Sequence, residues 1–145
     1  MHLQSIKGME VSFIGRVYKK KVLVPFTEKV SLGRQCESLA AEYLLKRKWR
    51  LVARNVRLRL GEIDLIVEDP ESGQRWLVEV RGRRQGIRKA SVWLSRAKIK
   101  RLKKLAEIMR LRTQRVHRIL FLEVEMLETS SGSVRIKEFE IDGEA

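Results

Sequence analysis

The chain of 145 residues holds a single cysteine, Cys36, and two histidines, His2 and His117. One thiol cannot close an internal disulfide, which fits a reducing compartment. One cysteine with two histidines also falls short of the usual tetrahedral zinc sets, and a Ser or Cys catalytic triad is equally ill supplied with imidazole. No glycine-rich phosphate loop of the P-loop type is present. No apolar stretch approaches the roughly 20 residues that span a bilayer, and the first residues lack an apolar run ending at a small-residue cleavage site. The expectation is a cytoplasmic protein without a membrane partner. Acidic residues are scarce too: 18 Asp and Glu stand against 32 Lys and Arg, leaving a formal net charge of +14.

What remains is enough for one globular unit. A hydrophobic fraction of 43% in 145 residues can build a core without covalent staples. The excess charge is concentrated. Residues 81 to 118 hold 15 basic groups and one acidic group, Glu107, whereas residues 61 to 80 hold one basic and six acidic groups. A solvated surface helix usually interleaves Glu with its Lys and Arg. A basic block without that pairing is the footprint of a phosphate-rich partner, and nucleic acid is the expected one. The side chains expected to meet it are Arg83, Arg84, Arg88, Lys89, Arg96, Lys100, Arg101 and Lys104.

Residues 1 to 30 have weak periodicity and are expected to form a mobile or loosely docked arm, with residues 31 to 145 as a single α/β domain. Ser31 is suited to an N-cap, and Leu32, Cys36, Leu39, Ala40, Tyr43 and Leu44 then recur at helical spacing to about Lys48. "WRLVARNVRLR", broken by Asn55, reads as a strand leading to a turn. "EIDLIV" and "RWLVEVR" alternate with period two around "EDPESGQ", which has the turn chemistry of a hairpin. A second helix follows with the stripe Val92, Ile99, Leu102, Leu105, Ala106 and Met109. "RILFLEVEM" is apolar enough for a buried strand, and "SVRIKEFEI" is expected at a sheet edge. Trp49, Trp76 and Trp93 are expected in or beside the core, with Trp93 also able to stack on a base. His117 is expected to be structural.

The hairpin carries carboxylates where apolar residues would fold more easily. If it is symmetric about its loop, Asp64 lies opposite Glu79 and Glu62 opposite Arg81. Directly opposed carboxylates would be ~5 Å apart and would need a proton or a cation between them. Mg²⁺ (or Mn²⁺) suits such a pair, because one or two carboxylates hold it while water and phosphate complete its shell. A cation there, beside a basic surface, is the arrangement of metal-assisted phosphodiester hydrolysis. The plain alternative is a solvent face with scattered acids. Glu37, at the edge of the first helix's apolar stripe, could look inward.

"GRQCESLAAEYL", "RN", "GEIDLI", "VEVRGR" and "KIKRLKKLA", between Leu32 and Met109, resemble the YraN family of small bacterial proteins. That family is placed in the restriction-endonuclease-like superfamily, which uses a PD-(D/E)XK metal site. The resemblance implies a mixed β-sheet of four to five strands flanked by helices, and kinship with structure-selective nucleases such as Holliday-junction resolvases. It implies Asp64 and Glu79 as metal-binding acids, Glu37 as the helix acid and Glu62 as the Glu of the GEID segment. In one position the chain departs from the pattern. Arg81 stands where Lys is expected two residues after Glu79, and Arg stays protonated, so it cannot act as a base. It could still stabilise charge on a phosphate. Lys98 shares a helical stripe with Leu102, Leu105 and Met109 and could stand in, or be one more solvated lysine.

The expected activity is therefore a Mg²⁺- or Mn²⁺-dependent nuclease acting on DNA, including junctions or flaps. The alternatives are a DNA- or RNA-binding module whose chemistry was weakened or lost through Arg81, and a role directed at RNA. A homodimer is left open.

Overall fold

The computed structural model describes residues 3–6, 9–21, 32–84, 94–127 and 133–141. Ser31, Trp93, Arg88 and Lys89 lie outside the described residues. In chain order the elements are β1 (Leu3–Ile6), β2 (Met9–Lys21), α1 (Leu32–Lys46), β3 (Arg50–Leu58), β4 (Gly61–Glu68), β5 (Arg75–Arg84), α2 (Arg96–Thr113), β6 (His117–Met126) and β7 (Ser133–Ile141). From α1 onward this is the expected helix, three strands, helix, two strands. Strands β3 to β7 form a mixed sheet with a helix on each face, an α/β fold. The sheet order is β1-β2-β7-β6-β5-β4-β3. Among the described strands only β5 and β6 run parallel. Their connection contains α2, as a parallel pair requires a crossover rather than a tight turn.

Period two in the strands feeds two cores. Trp76, Val78 and Val80 of β5 turn to the α1 face, where they meet Cys36, Ala40, Tyr43 and Leu44 together with Leu120, Leu122 and Val124 of β6. Leu77 turns to the other face with Ile119, Phe121 and Phe139, beneath Ile99, Leu102 and Leu105 of α2. β6 is buried along nearly its whole length because both faces are covered. Ser95 caps α2, its hydroxyl accepting from the Lys98 amide at 3.1 Å. Gln114 ends the helix in the left-handed conformation at φ 61°, and its N–H bonds the Arg110 carbonyl.

Two expectations change. β7 is interior, because β2 pairs antiparallel along its outer side from Val11–Ile141 to Lys21–Ser133. The basic and apolar residues of β2 alternate too irregularly to announce a strand, and pairing with β7 supplies the order that local pattern does not. Asn55 does not break β3. The strand continues through it with that one residue in the left-handed region at φ 50°.

Trp49 and Trp76 stack at 5.8 Å under α1, with Arg47 over the first ring and Arg118 over the second. His117 is 5% exposed, and its Nδ1 lies 2.9 Å from the Arg115 carbonyl at the start of β6, remote in the sheet from the acids of the hairpin.

No helix among the described residues is long and apolar enough to cross a membrane.

Candidate active site

The β4–β5 ladder runs from Glu68–Arg75 to Leu65–Val78 and stops there. The same offset carried one step further sets Asp64 opposite Glu79. The strands part at this point, and the Val80 N–H is taken up by a side chain: Asp64 Oδ2 accepts it at 2.8 Å. Glu62 and Arg81 are consequently not a cross-strand pair. Glu62 lies opposite Arg57 on β3 instead.

The parting opens a cavity of about 480 Å³. Leu32, Gly33 and Glu37 of α1, Glu62 and Asp64 of β4, Glu79 to Gly82 of β5 and Arg101 of α2 line it. Four of the acids singled out above therefore share one cleft. A second recess beside it is lined by Arg81, Ser95, Ala97, Lys98 and Arg101.

The helix acid reaches the cleft because α1 lies very close to β5. A Cβ on Gly82 would fall 2.3 Å from the Cys36 sulfur, so no side chain fits there. Cys36 is fully buried by this contact, and burial together with the Glu37 charge pushes its thiol up to about 12, leaving it a packing residue. Glu37 follows it at the mouth of the cleft. On the far side, Gly61 stands at φ 155°, a conformation that L side chains rarely adopt, and a Cβ there would touch the Arg101 side chain at 3.4 Å.

The electrostatics of the cleft are those of crowded acids. Burial first, and then the negative charge of Glu79, pushes Asp64 up to about 7 against the opposing pull of the Val80 N–H and Arg81. Glu79 is 5% exposed and is also raised by burial, with Arg81, Arg101 and a hydrogen bond to Asp64 acting the other way. The two carboxyls are hydrogen-bonded neighbours, and the negative charge of Glu79 disfavours ionisation of Asp64. Glu37 is raised by burial and by the charges of Glu62 and Glu79, while Arg54 and Arg34 pull it down.

Two cations attend Glu79. Lys98 Nζ lies 2.8 Å from Glu79 Oε1 with its side chain 10% exposed, so it points back to the sheet rather than into solvent. Arg81 lies 3.4 Å from the same oxygen and is 47% exposed. An enclosed amine from α2 therefore lies against the second acid, where the strand itself carries Arg.

Among the described residues no group of three or more His, Cys, Asp or Glu is gathered as a metal cage. The donor set is a pair of hard carboxylates open to a cleft. That suits a hydrated divalent cation such as Mg²⁺ better than a transition metal that demands a full set of protein ligands.

The basic residues divide. Arg84, Arg96, Lys100, Arg101 and Lys104 are exposed. Arg83 is not presented to solvent: at 8% exposed it holds Glu123 at 2.6 Å and Glu125 at 2.8 Å, a buried pairing with β6. It was grouped with the surface cations because its partners lie some forty residues further along the chain.

Sequence reasoning placed the strand β3 but missed what its side chains bring to the cleft. Arg54 and Arg57 are exposed on this edge strand and Arg59 in the turn that follows it, beside the acids of β4. Asn55, between Arg54–Leu65 and Val56–Ile63 in the ladder, stands opposite Asp64. With its amide nitrogen turned toward the acids it donates to Glu62 Oε1 and to Glu37 Oε2, each at 3.2 Å. The reverse orientation would set its carbonyl oxygen against both carboxylates. The "RN" pair ahead of GEID was the available signal.

The matching family model, described as Uncharacterised protein family UPF0102, covers residues 36–125, from the buried cysteine of α1 to the end of β6. The chain belongs to the UPF0102 family. This is the YraN family, within the restriction-endonuclease-like superfamily. A UPF0102 protein of Symbiobacterium thermophilum is 45% identical over 80 residues, 53% of this chain and 64% of its own. A UPF0102 protein of Nitrosococcus oceani is 56% identical over 54 residues, 37% of this chain and 42% of its own. One of Clavibacter michiganensis is 42% identical over 81 residues, 55% of this chain and 67% of its own. The chain thus spans between two fifths and two thirds of the length of these relatives. The UPF0102 match encloses Glu37, Asn55, Glu62, Asp64, Glu79, Arg81 and Lys98.

Proposed function

We propose that this UPF0102 chain is a metal-dependent nuclease that hydrolyses phosphodiesters in DNA. The reading rests on one observation: Asp64 and Glu79 meet in a cleft, with Lys98 and Arg81 against Glu79 and exposed cations on the elements at either side. Asp64 and Glu79 would hold a Mg²⁺ or Mn²⁺ ion, which lowers the pKa of bound water and neutralises charge developing on phosphate. The chain's own groups do the rest. The Val80 N–H fixes the Asp64 carboxylate. Lys98, with little water around it, directs a compact positive charge at the edge of the pair. Arg81, half exposed, is free to turn its fork to a phosphate oxygen in the transition state. Arg96, Lys100, Arg101 and Lys104 of α2 would hold the nucleic-acid backbone on one side, and Arg54 and Arg57 of β3 with Arg59 of the following turn on the other.

The test is a cleavage panel of duplex, single-stranded, flap and four-way-junction DNA with matched RNA, each with Mg²⁺, Mn²⁺ or chelator. Cleavage of at least one DNA substrate, dependent on metal and lost in Asp64→Ala, is expected. A protein pure enough to bind the panel yet inert on every member with both metals would remove the reading.

A second reading has one observation in its favour. Lys98 and Arg81 already balance Glu79, so the site can be electrostatically satisfied without a cation. On that reading the chain is a DNA- or RNA-binding module, Asp64→Ala leaves affinity unchanged or higher, and no metal is taken up in calorimetry. Competition of RNA against DNA at matched salt decides between the polymers, since both bind through phosphate.

A further inference from the structure

We infer that Asn55 is a positioning residue: its carboxamide bridges Glu37 and Glu62 and fixes both carboxylates at the lip of the cleft. This role rests on the nuclease reading and concerns a residue that acts through Glu37 and Glu62 rather than as a ligand of the metal.

The backbone is the first part of the argument. Asn55 sits in mid-strand at φ 50°, where a β-strand needs no left-handed residue. Such a conformation strains most L residues and persists where the surroundings hold it in place. Glycine would adopt it with less strain. Asparagine is the side chain that tolerates the conformation and also brings hydrogen-bonding groups to it.

The second part is stoichiometry. A carboxamide has two N–H donors, and the two acids here take one each, Glu62 Oε1 and Glu37 Oε2 at 3.2 Å. These acids come from β4 and α1, and the carboxamide of β3 joins them at this point. Side by side and unbridged, two carboxylates would repel and swing apart. Aspartate at position 55 would keep the shape and the backbone tolerance but add a third negative charge with nothing to donate.

The third part is a neighbouring grip. Arg54 Nη2 donates to Ser38 Oγ at 3.2 Å, so consecutive residues of β3 hold consecutive residues of α1. The strand edge thereby sets the register of the helix acid against GEID, and Asn55 reads both at once.

The experiment compares full-length wild type, Asn55→Gly and Asn55→Asp. Glycine removes the carboxamide without straining the backbone, so thermal stability should hold and guard against a folding artefact. On the substrate found with the wild type, kcat should fall about tenfold in Asn55→Gly and about a hundredfold in Asn55→Asp, with KM within about twofold in both. Calorimetric Mn²⁺ affinity should fall in the same order. Adding Asn55→Gly to the pair Glu37→Gln and Glu62→Gln should cost less than about twofold more, because the residue acts through those acids. In wild type the Asn55 side-chain amide resonances should shift on Glu37→Gln and on Glu62→Gln but not on Glu68→Gln. A wild type that cuts alongside an equally active Asn55→Gly overturns the role of Asn55 alone. Full additivity with the two Gln substitutions does the same. A wild type that neither cuts nor binds Mn²⁺ removes the nuclease reading and this role with it.

Discussion

Asp64 and Glu68 lie on the same strand, and the fold treats them in opposite ways. Glu68, at the end of β4, is met by Arg50 at 2.7 Å, Arg115 at 2.6 Å and Arg75 at 3.4 Å. Hydrogen bonds and charge from Arg50 and Arg115, above all Arg50, hold it down at about 2. Asp64, one helical-turn's worth of residues earlier, is buried against another acid and is pushed up to about 7. The difference separates a carboxylate that holds structure from one that stores unfavourable charge. A strand end stapled by three guanidinium groups contributes to folding. A cleft where acids crowd costs stability, and such crowding is the mark of a site kept for chemistry.

The largest expected effect breaks this comparison by function. If Asp64 and Glu79 are the working pair, Asp64→Ala should lower metal-dependent cleavage by about 10³-fold, or ~4 kcal/mol of transition-state stabilisation. Glu68→Gln should leave it within about threefold, although it disrupts more ion pairs. Single-turnover cleavage of the best panel substrate measures both. Equal losses would mean that the two ends of β4 do not differ in kind.

Next come two glycines, one at each end. Gly82 is required by space: Cys36 leaves no room for a Cβ, so Gly82→Ala should cost about 3 kcal/mol by forcing α1 off β5. Cys36→Ala in the same chain should restore part of it by removing the sulfur. Gly73, in the loop beside Glu68, has nothing within 4 Å but stands at φ 71°. Gly73→Ala should therefore cost only about 1 kcal/mol, from backbone strain, and no neighbouring truncation should rescue it. Denaturant unfolding of the three variants is the measurement. Rescue at the first site and not at the second is the pattern that tells the causes apart.

Much of this was legible beforehand. Symmetry about "EDPESGQ" fixed the hairpin offset, since the strands alternate and the turn residues are unambiguous. The apolar spacing of α1 located the face that carries Cys36 to β5. Three features were not legible, each for a physical reason. Asn55 looks like a turn residue by propensity, and nothing local shows that the strand runs through it with one left-handed residue. Arg83 belongs to a run of cations, and its burial depends on Glu123 and Glu125 from a parallel strand reached by a crossover. The direction of Lys98 depends on how α2 is rolled on the sheet, which the stripe of Leu102 and Leu105 sets only to within a side chain's width.

Stability against pH sharpens the comparison further, because the two acids should have opposite signs. The folded state holds a proton on Asp64 where the unfolded chain, with an ordinary value near 3.9, has released it. Stability should therefore fall as pH rises from about 4 to about 7. Asp64→Asn should remove this fall and raise stability at pH 8 by about 2 kcal/mol in the absence of divalent cation. Glu68 is depressed, so its contribution is in place above the ordinary Glu value and is lost as pH falls through about 2. Glu68→Gln should be less stable than wild type at pH 7 and indistinguishable near pH 2. Urea titrations across pH read both curves, and parallel curves for the two variants would contradict the assignment.

The smallest effect is expected at Arg81. Restoring the lysine that the motif usually carries would be decisive if the site lacked an amine, for a compact and desolvated charge does what a protonated fork cannot. The geometry argues otherwise. Lys98 is already 2.8 Å from Glu79 and nearly enclosed, whereas Arg81 is 3.4 Å away and half in solvent. Arg81→Lys should then change cleavage by no more than about threefold, and Lys98→Met by about a hundredfold. The reverse order, a large gain from Arg81→Lys and indifference at Lys98, would show that the helix amine only balances charge. It would also mark the wild-type chain as an enzyme held back by a single residue of β5.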